Sequence, residues 1–256
     1  MKLGVAQIKP KRGDIESNIE LHKEMIFLAL TKGVSAIFFS ELSITGYEPE
    51  LAEGLKVNQQ EKKFEIFQKI SNEKEITIGI GAPTESEEGV QISMLIFKPN
   101  KNVQTYSKQI LHDDEKPYFK KGNGQFVLNL NGNKIAPAIC YESLQIEHLE
   151  NSIHKGAELY VASVAKPQKG INKAKVYFSK VAKEKSIPIL MANCVGFCDN
   201  FESVGQSSIW NKHGKILGQL SESEEGILIY DTDKEIVFKI KREKATNNIS
   251  YVKALE

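Results

Sequence analysis

At 256 residues the chain has the length of one large α/β domain or two small ones, and its core needs neither disulfides nor a structural metal. Apolar residues at 41% and charged residues at 26% are ordinary for a globular protein and exclude the disordered and fibrous classes. Lys plus Arg (34) balances Asp plus Glu (33), so no net field recruits nucleic acid, and no run has the length and apolarity of a membrane span.

In chain order, Lys2 to Ile8 reads as a strand, broken by Gln7 and followed by charge, which is too short for a signal-peptide core. Asn18 to Lys32 carries Ile19, Met25, Ile26 and Ala29 at helical spacing, Ala36 to Ser40 is a strand, and Glu61 to Asn72 repeats the helical pattern with Phe64, Phe67 and Ile70. Ile76 to Ala82, Ile92 to Phe97, Val103 to Ser107 and Lys134 to Ile139 are short β-branched or aromatic runs, hence strands. Glu88-Gly89, Pro99-Asn100 and Asn131-Gly132 are hairpin turns. Helices are expected over Glu142 to Lys155 and Lys173 to Lys185, and strands over Leu159 to Ser163, Ile187 to Ala192, Ser207 to Trp210 and Gly226 to Asp231. The alternation predicts a layered α/β domain, and the hairpins make its sheets mixed. Only Lys239 to Glu256 loses the rhythm, as a tail or an interface arm.

Three residues at strand ends carry the chemistry. Glu41 closes VSAIFFS beside Phe38, Phe39 and Leu42, an apolar setting that raises a carboxyl toward a usable base. Cys140 follows KIAPAI directly and precedes a helical stretch, so its thiol is placed at a strand-to-helix turn where the dipole favours thiolate. Lys108 closes NVQTYS. Singly, each has a plain alternative: a solvated glutamate, a packed cysteine, a solvated lysine. Together they form the base, nucleophile and electrophile that acyl transfer requires.

Other features are read as structural. Gly79 and Gly81 in IGIGAP lack the remainder of a dinucleotide fingerprint and mark a tightly packed strand, so no nucleotide cofactor is expected. His112, Asp113, Asp114 and Glu115 lack a hard-metal loop pattern, and Cys194 and Cys198 lack two further zinc ligands, so no metal is expected. The lysine-rich KPQKGINKAKVYFSKVAKEK reads as a solvated helix face.

The segments ELSITGYEP, YSKQILHDDEKPYFKKG and AICYES, in that order, resemble the signature segments of the nitrilase superfamily, the carbon-nitrogen hydrolases, and LGVAQIKPKRGDIESNI, MANCVG and VGQSSIWNKHGKIL extend the resemblance over nearly the whole chain. The resemblance implies a four-layer α-β-β-α sandwich with mixed sheets, a hydrolase domain over 1–238, a tail over 239–256 that reaches a partner subunit, and a single-domain homodimer or larger homo-oligomer, while three cysteines without a secretion signal make the cytoplasm the expected location. It implies Glu41 as general base, Lys108 as oxyanion-stabilising lysine, Cys140 as nucleophile and Glu115 as the second glutamate orienting lysine and substrate. Tyr47, Tyr141 and Glu142 are expected at the substrate, with no cofactor and a small amide as the partner. After Cys140 the run Tyr141, Glu142, Ser143, Leu144 lacks the arginine that many members carry there, which bears on substrate choice rather than bond type. Hydrolysis of a small linear amide stands beside two alternatives, thioester-based acyl transfer and a non-catalytic binding protein that keeps the fold.

Overall fold

Strand residues in this chain are apolar on both faces: in AIF, Ala36 and Phe38 join one buried cluster while Ile37 joins another. Continuous apolar strands of this kind belong inside a layered fold, covered on each side. The computed structural model describes residues 1–243. In chain order its elements are β1 (Lys2–Gln7), α1 (Ile15–Leu30), β2 (Ala36–Phe38), α2 (Ala52–Leu55), α3 (Glu65–Lys74), β3 (Thr77–Ser86), β4 (Gly89–Phe97), β5 (Gln104–Ser107), β6 (Leu128–Leu130), β7 (Asn133–Ile139), α4 (Ile146–His154), β8 (Leu159–Val164), α5 (Gln168–Lys185), β9 (Ile189–Asn193), β10 (Val195–Cys198), β11 (Phe201–Val204), β12 (Ser208–Trp210), β13 (Ile216–Gln219), β14 (Gly226–Asp231) and β15 (Ile236–Lys241).

One sheet runs β15-β14-β1-β2-β3-β4-β5 and a second β13-β12-β9-β8-β7-β6, with β10 and β11 forming a separate hairpin. In each sheet the three central strands are parallel and the flanking strands antiparallel, so both are mixed. Between the sheets lie Val5, Phe38, Met94 and Tyr106 from one and Ile135, Ile139, Val161 and Leu190 from the other. The outer face of the first sheet is covered by Met25 and Ile26 of α1 and Phe67 of α3. Leu149 of α4 and Phe178 of α5 cover the second. The result is the expected four-layer α-β-β-α sandwich, and each fully buried Phe contributes about 1.5–3 kcal/mol to it.

Differences from expectation are local. The helix expected over Glu142 to Lys155 divides into a 3₁₀ segment, Cys140–Leu144, and α4. The expected tail begins inside β15, whose residues Lys239 to Lys241 pair with β14, and 244–256 lie outside the described residues.

Candidate active site

Glu41 rides on a loop that crosses β3 at minimal distance. Phe39 N–H donates to the Gly79 carbonyl at 2.9 Å and Ile44 N–H to the Gly81 carbonyl at 2.9 Å. A Cβ at Gly81 would lie 2.4 Å from Leu42 N and from the Ser40 carbonyl, so only glycine lets the loop sit there. His22 of α1 fixes the loop from outside. Its Nδ1 lies 2.6 Å from the Asn18 carbonyl and its Nε2 2.9 Å from Ser43 Oγ, which accepts from Gly81 N–H at 3.1 Å. Since Nδ1 must donate to a carbonyl, Nε2 is the acceptor and Ser43 the donor. Burial pushes His22 down to about 4, keeping the imidazole neutral as this chain of bonds requires.

Lys108 follows β5 and is fully buried. Its Nζ donates to Glu41 Oε1 at 2.8 Å and to Glu115 Oε1 at 2.6 Å. Glu115 is held in turn by Tyr47 Oη at 3.1 Å and by His112 N–H, which donates to Oε2 at 2.8 Å. One ammonium thus joins the two carboxylates that sequence assigned to base and positioning roles.

Cys140 begins the 3₁₀ segment with φ +46°, a left-handed conformation that costs a non-glycine residue about 1–2 kcal/mol. Glu142 stabilises this turn. Its Oε1 accepts from Ile139 N–H at 2.8 Å and Tyr106 Oη at 2.7 Å, and its Oε2 from Gln109 N–H at 2.6 Å and Ile110 N–H at 3.3 Å. The residue before Cys140 and the residue after Lys108 are therefore tied to one buried carboxylate. Beyond it, Tyr106 Oη lies 2.7 Å from His148 Nε2, whose Nδ1 is 2.7 Å from Tyr160 Oη.

Burial raises the Glu41 carboxyl against the pull of Lys108. Burial alone would lower Lys108, but Glu41 and Glu115 carry it above the ordinary lysine range, so it stays charged. The Cys140 thiol is pushed up to about 11, first by burial and then by Glu41, with Lys166 and Lys108 opposing. This corrects the expectation of a thiol lowered by a helix dipole: the turn is followed by a short 3₁₀ segment, and a carboxylate faces the sulfur. The thiol's hydrogen-bond acceptor is the Ala165 carbonyl at 3.7 Å, and Glu41 Oε2 has no hydrogen-bond partner among the described residues.

The expected substrate contacts divide. Tyr47 bonds Glu115, Tyr141 is half-buried with its ring centroid 5.0 Å from that of His112, and Glu142 has both oxygens occupied by the protein. His112, the one histidine near a site segment, pairs with Asp114 at 2.6 Å. Lys166 was read as part of a solvated helix, yet it is 6% exposed and its Nζ lies 3.5 Å from Cys140 Sγ. The signal was present, since Lys166 closes the apolar run LYVASVA just as Lys108 closes its own strand. Cys194 and Cys198 are buried thiols with sulfurs 3.6 Å apart. No group of three metal-ligating side chains occurs among the described residues, nor any helix long and apolar enough to cross a membrane.

Two mixed sheets between helical layers thus enclose a half-buried thiol, a buried ammonium and two buried carboxyls. The carbon-nitrogen hydrolase family profile matches residues 2–242, and the chain belongs to that family, within the nitrilase superfamily. It is 26% identical over 245 residues to a glutamine-dependent NAD(+) synthetase of Acinetobacter baylyi, with 91% of this chain and 44% of the synthetase covered. The chain thus spans less than half of that relative. It is likewise 26% identical to a probable nitrilase of Schizosaccharomyces pombe, covering 91% of this chain and 89% of the nitrilase. In fold it is similar to an amidase mutant from Nesterenkonia sp. AN1 in complex with butyramide, with TM-score 0.83, 21% identity and 92% of each chain covered.

Proposed function

We propose that the protein hydrolyses a small linear amide through a thioester on Cys140, releasing ammonia or an amine. The observation that carries this is the buried Glu41–Lys108–Glu115 cluster bearing on the Cys140 thiol. Glu41 takes the thiol proton as sulfur attacks the carbonyl carbon, Lys108 and the Tyr141 N–H receive the oxyanion, and the proton passes to the leaving nitrogen. Glu41 then activates the water that cleaves the thioester. Glu115 and Tyr47 orient the lysine, and Glu142 keeps its strand in register with the nucleophile turn.

The relatives' names support an amide: one is an amidase seen with butyramide, the other is glutamine-dependent. A panel of butyramide, glutamine and other small amides, scored by ammonia release, tests the reading. Ammonia from one or more of them, abolished by Cys140→Ala, is the expected result, and release that survives the substitution refutes it. The reading includes a cytoplasmic homodimer formed through the helical layer, which sedimentation at micromolar concentration tests as to assembly.

A further inference from the structure

Lys166 is a charge for which the hydrolytic scheme has no use. It follows β8 and precedes α5, it is buried, and among the described residues its ammonium has one hydrogen-bond acceptor, the sulfur of Cys140, and no carboxylate within ion-pair reach. A buried ammonium without a counter-ion costs several kcal/mol unless something nearby supplies negative charge. Its backbone is held with care. Lys166 N–H donates to Asn193 Oδ1 at 2.9 Å, and its carbonyl accepts from Asn193 Nδ2 at 3.2 Å and Ser203 Oγ at 3.1 Å. The side-chain stem lies over the first turn of α5, where a Cβ at Gly170 would come within 3.2 Å of Lys166 Cβ. Four elements thus converge to aim this ammonium at the sulfur.

Resting on the reading of Cys140 as nucleophile, we propose that Lys166 is a catalytic residue, the counter-ion of the Cys140 thiolate at the moment of attack. Once Glu41 holds the S–H proton, Lys108 and Glu115 cancel each other, so the sulfur anion formed beside the cluster finds no uncommitted positive charge there. Lys108 is already shared between both glutamates. Lys166 supplies the missing positive charge on the sulfur itself, 3.5 Å away. Its protons stay in place: the S–H proton goes to Glu41, the sulfur electron pair forms the S–C bond, and the carbonyl π electrons move to oxygen. The ammonium's bond to sulfur strengthens as charge develops and relaxes once the neutral thioester exists. The ionisable groups that bear on the thiol are Glu41, Lys166, Lys108, Glu115 and Tyr47.

The test is the rate of Cys140 alkylation by iodoacetamide as a function of pH, located by peptide mass spectrometry, in the parent, Lys166→Met and Lys166→Arg proteins. The reagent is neutral, so its rate follows thiolate population. Loss of a cation at this range is expected to move the profile upward by about 1–3 pH units, slowing alkylation at pH 8 at least about ten-fold, while arginine retains most of the parent rate. kcat on an amide that the parent hydrolyses should fall with the alkylation rate, with KM less affected. An unchanged alkylation profile in folded Lys166→Met overturns the proposal, and Lys166→Gln gives the same comparison should the methionine variant not fold. A substrate acyl adduct on a residue other than Cys140 would overturn the nucleophile assignment, and the lysine's role with it.

Discussion

His22 offers a quantitative test of how the Glu41 loop is held. Its neutral ring accepts from Ser43 and donates to Asn18, and burial lowers it from 6.5 to about 4. The unfolded chain therefore binds a proton between pH 6.5 and 4 that the folded chain refuses. Stability from this group is complete above 6.5 and is lost as pH falls toward 4, at about 1.4 kcal/mol per pH unit and about 3 kcal/mol in all. Buried His148, also lowered to about 4, acts in the same sense. Glu142, raised by burial to about 7, acts oppositely: its contribution is present below the unfolded carboxyl value and is lost as pH rises through 7. The parent curve is a sum of such terms, so the prediction rests on a difference. Urea unfolding from pH 4.5 to 6.5 should give a slope for His22→Gln lower than the parent's by about 1.4 kcal/mol per pH unit. Equal slopes would refute a buried neutral His22. Because Ser43 is two residues from Glu41, the variant should also lose activity at pH 7, where the parent ring is neutral.

Further substitutions probe the same framework. Gly81→Ala places a methyl 2.4 Å from the Ser40 carbonyl and should displace the Glu41 loop, lowering kcat/KM about 100-fold while secondary structure by circular dichroism persists. Glu142→Gln sets an amide donor against the Gln109 and Ile110 N–H groups and should cost about 2–5 kcal/mol in urea unfolding, two buried donors losing their shared acceptor at once. Glu115→Gln leaves Lys108 with one carboxylate and should lower kcat more than it raises KM, at a cost of about 3–5 kcal/mol in urea unfolding for the broken buried pair. An activity equal to the parent's would remove Glu115 from the site.

Much of the site was legible because strand-end chemistry is visible in sequence: VSAIFFS, NVQTYS and KIAPAI are unmistakable apolar runs, and Glu41, Lys108 and Cys140 interrupt or follow them abruptly. Glu115 came from the resemblance, since an acidic loop residue carries no local mark of burial. Lys166 ends a strand as clearly but sits among lysines 169, 173 and 175, whose solvated pattern masked it. Glu142 was expected at the substrate because it neighbours the nucleophile, but a 3₁₀ turn with φ +46° at Cys140 carries its side chain back to Ile139 N–H. The strands β6, β10, β11, β13 and β15 were not predicted, because the first four are only three or four residues long and IVFKIK is interrupted by charge.

The measurement that bears most directly on the central claim is the intact mass of the protein quenched in acid during turnover of an amide it hydrolyses. The account predicts an adduct of the acyl group on the peptide containing Cys140, lost on treatment with hydroxylamine and absent in Cys140→Ala. Turnover that persists in Cys140→Ala, or an adduct on another residue, would contradict it.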